Sequence, residues 1–256
     1  MISVIVCTAQ EEEAAAVHER NVVKTIGAPV EYLRIDNRGS ASGICSAYNR
    51  GARAARGNLL VFVHDDAFFM QPGWGAVLNG KFSNDRTLGM LGVAGTQYLC
   101  RDRMSWTAAG MPYMKGRVVH DIASSGEFFM SAFSTEPGDS EVVAVDGLFL
   151  AIRRDLFGRI RFDEENFDGY HFYDLDICMQ VRRTHSIAVT WDILIKHCSE
   201  GNPDDAWRRY GRKFLEKYRD ELPASCGSGG EPDFTRKRVP GLKYDLRGKA
   251  GREIIS

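Results

Sequence analysis

The sequence predicts an α/β protein with a mainly parallel central sheet flanked by helices, and two observations carry that prediction. Three short apolar runs head the N-terminal half, ISVIVC (2–7), EYLRI (31–35) and NLLVFV (58–63). The segments between them are long enough for crossover helices, which gives the βαβαβ rhythm of strands covered on both faces.

Each element has its own justification. In SGICSAYNRGARAARG, Ile44, Ala47, Tyr48, Gly51, Ala52 and Ala55 fall on one helical stripe while Arg50, Arg53 and Arg56 point away, with Ser42 as N-cap and Gly57 as stop. PGWGAVLNGKF reads as a helix opened by Pro72, and LGMLGVAG as a Gly-rich strand. Residues 96–140 are dotted with Gly and Ser and read only as hairpins or loops. EVVAVDGLFLAIRRDLF gives a strand, a break at Asp146-Gly147, a second strand and a short helix. YDLDICMQVRRT follows as a helix, SIAVT and DILIKHC as strands, and PDDAWRRYGRKFLEKYRDEL as a C-terminal helical extension begun by Pro203 and Asp204. The Gly-rich, locally basic tail beyond it reads as a solvated arm.

Bulk properties exclude several classes. With 256 residues, 44% hydrophobic and 26% charged, the chain can bury a sizeable core and is not disordered. Its 33 basic and 34 acidic residues leave a net charge of −1, so nothing points to nucleic acid or an anionic membrane as partner. The six cysteines show no C-x-x-C or zinc-type spacing, which suits a reducing cytoplasm. The start, MISVIVCTAQEEE, turns acidic after too few apolar residues for a signal peptide or a membrane span.

The chemistry is expected at one rim. Ligands of open parallel sheets bind outside the carboxyl ends of the strands, and all three N-terminal strands end in polar residues: Thr8, Gln10 and Glu11; Asp36 and Asn37; His64, Asp65 and Asp66. Singly these read as turns, caps or exposed acids. Together they make a negative crevice, since two carboxylates about 4 Å apart repel by roughly 4 kcal/mol at an effective dielectric near 20. A divalent cation reverses that sign, and oxygen ligands with an optional imidazole suit Mg²⁺ or Mn²⁺. Such a cation would hold a diphosphate. Neither a Walker-type loop nor G-x-G-x-x-G follows the first strand, which disfavours P-loop hydrolysis and hydride chemistry on NAD.

Asp174 shares a helical stripe with Ile177, Cys178 and Val181, so it extends an apolar face at a helix start, where desolvation would raise its pKa toward general-base range. Asp176 lies on another face and reads as an N-terminal cap. His197 ends the alternating strand ILIKHC, facing the same way as Ile193 and Ile195.

In order and spacing, SVIVCTAQEEE, IDNRGSASG, AYNRGARAARGNLLVFVHDDAFF, VDGLFLAIRRDLF and FYDLDICMQVR resemble the GT-A-fold (nucleotide-diphospho-sugar transferase) glycosyltransferases of family 2, closest to the StrF-like branch. The resemblance spans residues 2–200. It implies a nucleotide-sugar donor, a UDP-sugar by preference, a carbohydrate or other hydroxyl acceptor, a divalent metal and inversion at the anomeric carbon. It divides the chain into a GT-A domain at 1–200, with a nucleotide-binding half at 1–95 and an acceptor-side half at 96–200, and a C-terminal helix with basic tail at 201–256. By the resemblance Thr8, Ala9 and Glu11 frame the base and ribose, Asp36 contacts the base, and Asn49 with Gly51 matches an N-x-G. His64-Asp65-Asp66 occupies the D-x-D position: Asp66 is the metal ligand, Asp65 a ribose or phosphate contact, and His64 replaces an acid. Asp174 is the catalytic base, Tyr173 replaces the Glu before it, His197 is a further metal ligand, and Asp146-Gly147 is the acceptor-side turn. A nucleotidyltransferase would need a Gly- and Lys-bearing loop that TAQEEE does not provide. A non-catalytic nucleotide-sugar or glycan-binding protein is the other reading.

Overall fold

The computed structural model describes residues 1–40, 42–199, 203–227, 230–236, 238–239 and 241–247. The N-terminal half alternates as expected: β1 (Ile2–Thr8), α1 (Glu12–Thr25), β2 (Val30–Asp36), α2 (Ile44–Ala54), β3 (Leu59–Val63), β4 (Ala67–Phe69), α3 (Trp74–Asn84) and β5 (Leu88–Gly92). Then come β6 (Ala94–Thr96), β7 (Tyr98–Leu99), β8 (Met114–Ile122), β9 (Glu127–Ala132), β10 (Ser140–Val142), β11 (Ala144–Val145) and β12 (Phe149–Arg153). The chain continues through α4 (Tyr173–Val181), β13 (Ser186–Val189), β14 (Ile195–His197), α5 (Asp205–Lys217), β15 (Ala224–Ser225) and β16 (Leu242–Asp245).

The central sheet has the order β10-β13-β5-β12-β3-β1-β2. β2, β1 and β3 pair in parallel, as do β5 and β13, while β12 runs antiparallel between β3 and β5. Period-two alternation sorts the side chains to the two faces. On β3, Leu59, Val61 and Val63 join Val22, Trp74 and Leu78 of α1 and α3, whereas Leu60 and Phe62 join Tyr48, Tyr173 and Phe214 of α2, α4 and α5. Both cores are dry, so the near-continuous apolar run in β3 has a physical cause. Gly51 lets α2 settle on β1, because a Cβ there would collide with the Ile5 side chain.

Helix starts differ in detail from the sequence reading. α2 begins one residue later than the Ser42 cap predicts, after Gly43 in extended backbone and without a side-chain cap. Asp204 does cap α5, accepting from the Trp207 backbone N–H at 2.7 Å.

Residues 96–140 hold the β8–β9 hairpin, the core of a second sheet ordered β11-β6-β8-β14-β4. The tail is not wholly a solvated arm: Leu242–Asp245 pairs antiparallel with β9, and Lys243 forms an ion pair with Glu127 at 2.8 Å. Residues 228–229, 237, 240 and 248–256 of that tail lie outside the described residues. Among the described residues no helix is long and apolar enough to cross a membrane.

Candidate active site

The carboxyl ends of β1, β2 and β3 lie side by side, with Thr8 in register with Asp36. Thr8 Oγ1 donates to Asp65 Oδ2 at 2.5 Å, which ties the end of β1 to the turn after β3. Burial and the charge of Asp66 raise the Asp65 pKa, and the Thr8 hydroxyl pulls it back only in part. Farther out, Arg38 clasps the Asp36 carboxylate at 2.6 Å and holds its pKa down to about 2. The same guanidinium reaches Glu11 at 3.4 Å. Ala9 is exposed between them.

Behind this rim the strand pairing of β14 with β4 delivers a third group. His197 is in register with Ala67, next to Asp66. Its Nε2 lies 3.2 Å from Asp66 Oδ1 and 3.4 Å from His64 Nδ1, and the third edge, His64 Nδ1 to Asp66 Oδ1, is 4.0 Å. These are the separations of ligand atoms placed about 2.1 Å from a shared centre, so two imidazoles and a carboxylate here fit a divalent cation. Electrostatics agree with that grouping. Burial opposes the charge on Asp66, yet the hydrogen bonds of His197 and Ser199 and the nearby His64 outweigh it and keep the carboxyl far below its usual range. For His197, burial works against protonation and Asp66 wins, raising the pKa. Burial, reinforced by His197, lowers that of His64.

His64 and His197 open into a cavity of about 480 Å³ that Asp146, Gly147, Tyr173 and Asp174 also line. α4 reaches this wall from an N-terminal residue, Phe172, held at φ 64°, a conformation that a bulky side chain adopts at a cost and that tends to mark functional positions. Packing of Phe172 against Trp207 and Phe214 holds it there. Gly147 admits the helix, since a Cβ at that position would strike the Tyr173 hydroxyl and crowd Asp174 Cβ. In return Asp174 Oδ2 accepts from the Gly147 N–H at 3.0 Å. Burial first, then the charge of Asp146, push the Asp174 pKa up to about 7, although backbone N–H groups at Leu175 and Gly147 act the other way. Asp146 is itself fixed by the Leu148 N–H at 2.9 Å and the Trp106 indole N–H at 3.0 Å.

The structure thus gathers His64, His197, Asp146, Gly147 and Asp174 around one hollow, and links Asp65 to Thr8. Asp66 meets this hollow only through His197 and is not itself in the cavity lining, and Ala9, Glu11 and Asp36 stand outside it along the ends of β1 and β2. Asn49 stays apart from them all: buried in α2, it binds the Phe162 backbone with both ends of its amide, at 2.8 and 3.1 Å. Asp176 caps nothing; it is fully buried and bound by Lys217, Tyr218 and Gln180.

Sequence reasoning missed the aromatic wall, Trp106, Phe133 and Trp207, and also His120, whose Nδ1 is buried with no hydrogen-bond partner among the described residues. Burial drives the His120 pKa down to about 4. The one available signal was the strand character of KGRVVHDI; that His120 pairs in register with His197 across β8 and β14 emerges only in the fold.

A sheet of this order with an acidic rim and a cavity at the strand ends defines the GT-A class of nucleotide-sugar enzymes. The glycosyltransferase like family model matches residues 3–218, and the chain belongs to that family. Solved structures of the same fold include GalNAc-T7 with UDP, GalNAc and Mn²⁺, at 13% identity and a TM-score of 0.55 over 86% of this chain and 50% of that one. The Pyrobaculum calidifontis mannosyltransferase PcManGT, in complex with GDP-Man and Mn²⁺, gives 15% and 0.53 over 90% and 66%. S. aureus TarS gives 13% and 0.54 over 85% and 39%. The chain therefore spans about half the length of GalNAc-T7 and less of TarS. No curated protein matches it significantly.

Proposed function

We propose that the protein is an inverting, divalent-metal-dependent glycosyltransferase of the StrF-like branch, moving a sugar from a nucleotide-diphosphate donor, a UDP-sugar by preference, to an acceptor hydroxyl. One observation carries the reading: a carboxylate with a pKa near 7, Asp174, shares a cavity with two members of a His-Asp-His triangle fit for a cation. Mn²⁺ accompanies UDP in the GalNAc-T7 structure and GDP-Man in that of PcManGT, which supports both the donor class and the metal.

In this mechanism Asp66, His197 and His64 would hold the cation, Mn²⁺ in preference to Mg²⁺ because two donors are nitrogen. Bound there, it would supply Lewis-acid neutralisation of the departing diphosphate. Thr8, Ala9, Glu11, Asp36 and Asp65 form the rim where base and ribose lie, while Asn49, bound to the Phe162 backbone, has no part in it. Asp174 takes the proton of the acceptor hydroxyl as its oxygen bonds the anomeric carbon and the bond to the diphosphate breaks, a contribution on the order of 10²- to 10⁴-fold. A single displacement of this kind inverts the centre. The Gly147 N–H orients Asp174, while Asp146 faces the acceptor and Trp106, Phe133 and Trp207 offer apolar faces to a sugar ring. We assign the nucleotide side to residues 1–95, the acceptor side to 96–200 and a buttressing role to the C-terminal helix and tail at 201–256. Six unpaired cysteines suit a reducing cytoplasm.

The test is a thermal-shift screen with UDP, GDP, dTDP and CDP, with and without Mn²⁺, followed by transfer assays on Asp66→Ala and Asp174→Asn. Stabilisation by one diphosphate only with the metal, and loss of turnover in both variants with folding intact, is expected. Full activity in both variants refutes the assignment, and binding without turnover in the unaltered protein marks a sensor instead.

A further inference from the structure

His64 and Tyr173 are the two positions where the chain departs from the acids of the family it resembles, and they touch each other. His64 Nε2 lies 2.5 Å from the Tyr173 hydroxyl oxygen, which lies 3.1 Å from the Gly147 carbonyl oxygen. The direction of these two hydrogen bonds follows from the chemistry of the last group. The Tyr173 hydroxyl donates to the Gly147 carbonyl, which can only accept. The phenol oxygen is then left to accept, and the proton it accepts sits on His64 Nε2. A neutral imidazole protonated at Nε2 has a bare lone pair at Nδ1. That nitrogen is the one 3.4 Å from His197 Nε2 and 4.0 Å from Asp66 Oδ1.

We infer that Tyr173 is a positioning residue that locks His64 in the Nε2–H form and turns its Nδ1 lone pair toward Asp66 and His197, completing a cation site of two imidazoles and one carboxylate. The inference rests on the metal reading of that triangle proposed above.

The surroundings make the lock rigid. Tyr173 is 3% exposed, sits in the first turn of α4 and packs edge-on against Tyr48 at 5.8 Å. The missing Cβ at Gly147 leaves space for its hydroxyl. The exchange of two acids for an imidazole and a phenol also explains itself as a pair. Two carboxylates at this distance repel unless a proton or ion lies between them, whereas the neutral pair satisfies itself. A ligand set with two nitrogens also discriminates between ions: Mg²⁺ demands oxygen, and Mn²⁺ tolerates imidazole.

Two measurements on the metal-free protein and its Tyr173→Phe variant decide this. Long-range ¹⁵N–¹H spectra, with His64 assigned through His64→Gln, should show the Nε2–H tautomer in the unaltered protein and a mixture in the variant. Calorimetric titration with MnCl₂ and MgCl₂ should show Mn²⁺ bound in preference to Mg²⁺ and an Mn²⁺ affinity about 10- to 100-fold weaker in Tyr173→Phe, with thermal melts confirming that the variant is folded. An Nδ1–H tautomer in the unaltered protein, or undiminished Mn²⁺ affinity in the folded variant, overturns the inference. If the variant does not fold, the tautomer of the unaltered protein decides alone. If the unaltered protein binds no Mn²⁺, the metal reading falls, while the spectrum still tells whether Tyr173 sets the tautomer.

Discussion

Lys217 Nζ in α5 lies 2.5 Å from Asp176 Oδ1 in α4, and the carboxylate it meets is fully buried. Tyr218 donates to the same oxygen at 2.7 Å and Gln180 to the other at 2.8 Å. Lys217 reaches Asp163 as well, at 2.7 Å. This cluster pins the C-terminal helix to the helix that carries Tyr173 and Asp174, so a contact remote from the cavity sets the position of its wall.

Lys217→Met therefore leaves a buried carboxylate with neutral donors only. Removing one partner of such a pair destabilises by about 3 kcal/mol. Burial already raises the Asp176 pKa, against the pull of Lys217, and loss of the lysine raises it further. A raised carboxyl pKa costs stability above the ordinary carboxylate range and costs nothing below it. Urea denaturation should thus show the full loss at pH 8 and a smaller one at pH 4.

Asp174 carries the same sign. With a folded-state pKa of about 7 against an ordinary 3.8, it holds a proton that the unfolded chain has released between those values, and stability falls as pH rises through that window. Asp174→Asn, a mimic of the protonated acid, should melt at the same temperature as the unaltered protein near pH 4 and at a higher one at pH 8. The proposed base role adds a kinetic signature: kcat/KM for transfer rising with pH to a plateau above about 7, and kcat at least about 100-fold lower in the variant.

The cation triangle yields a spectroscopic test free of turnover. Asp66 is what lifts the His197 pKa over the opposing effect of burial. In Asp66→Ala only the weaker attraction of Asp146 still opposes burial, so His197 should titrate below its ordinary 6.5 by NMR, where the unaltered protein titrates above it. Calorimetry on the same variant should detect no Mn²⁺ binding at concentrations that saturate the unaltered protein.

Much of this architecture is written in short-range pattern. The buried stripe of α2 and the dry run of β3 follow from periodicity, and the convergence of Thr8, Asp36 and Asp66 on one edge follows from parallel pairing. Asp174 stood out because a charge extends an apolar stripe. What escaped depends on contacts distant in sequence. Asp176 looked like a helix cap because its partners, Lys217 and Tyr218, are about forty residues away. His64 and Tyr173 looked like two separate losses of an acid, and only the fold reveals one hydrogen bond between them. The region 96–140 has weak alternation interrupted by Gly, and its β8–β9 hairpin owes its place to β14 and β16, which follow later in the chain.

Asp146 and Trp106 separate orientation from charge. Trp106→Phe keeps the ring that meets Phe133 edge-on at 5.5 Å but removes the indole N–H held by Asp146 Oδ2. The carboxylate keeps its Leu148 N–H and its charge while losing its fixed angle toward the cavity. A hydrogen bond to a charged group contributes about 1.5 kcal/mol net, so the acceptor KM should rise roughly 10-fold with the pH limb of kcat/KM unmoved. Asp146→Asn does the opposite to the limb. It removes a negative charge that raises the Asp174 pKa, and the midpoint of the pH profile should move to the acid side of 7. A limb that stays in place in Asp146→Asn would show that the two carboxylates do not interact through this cavity.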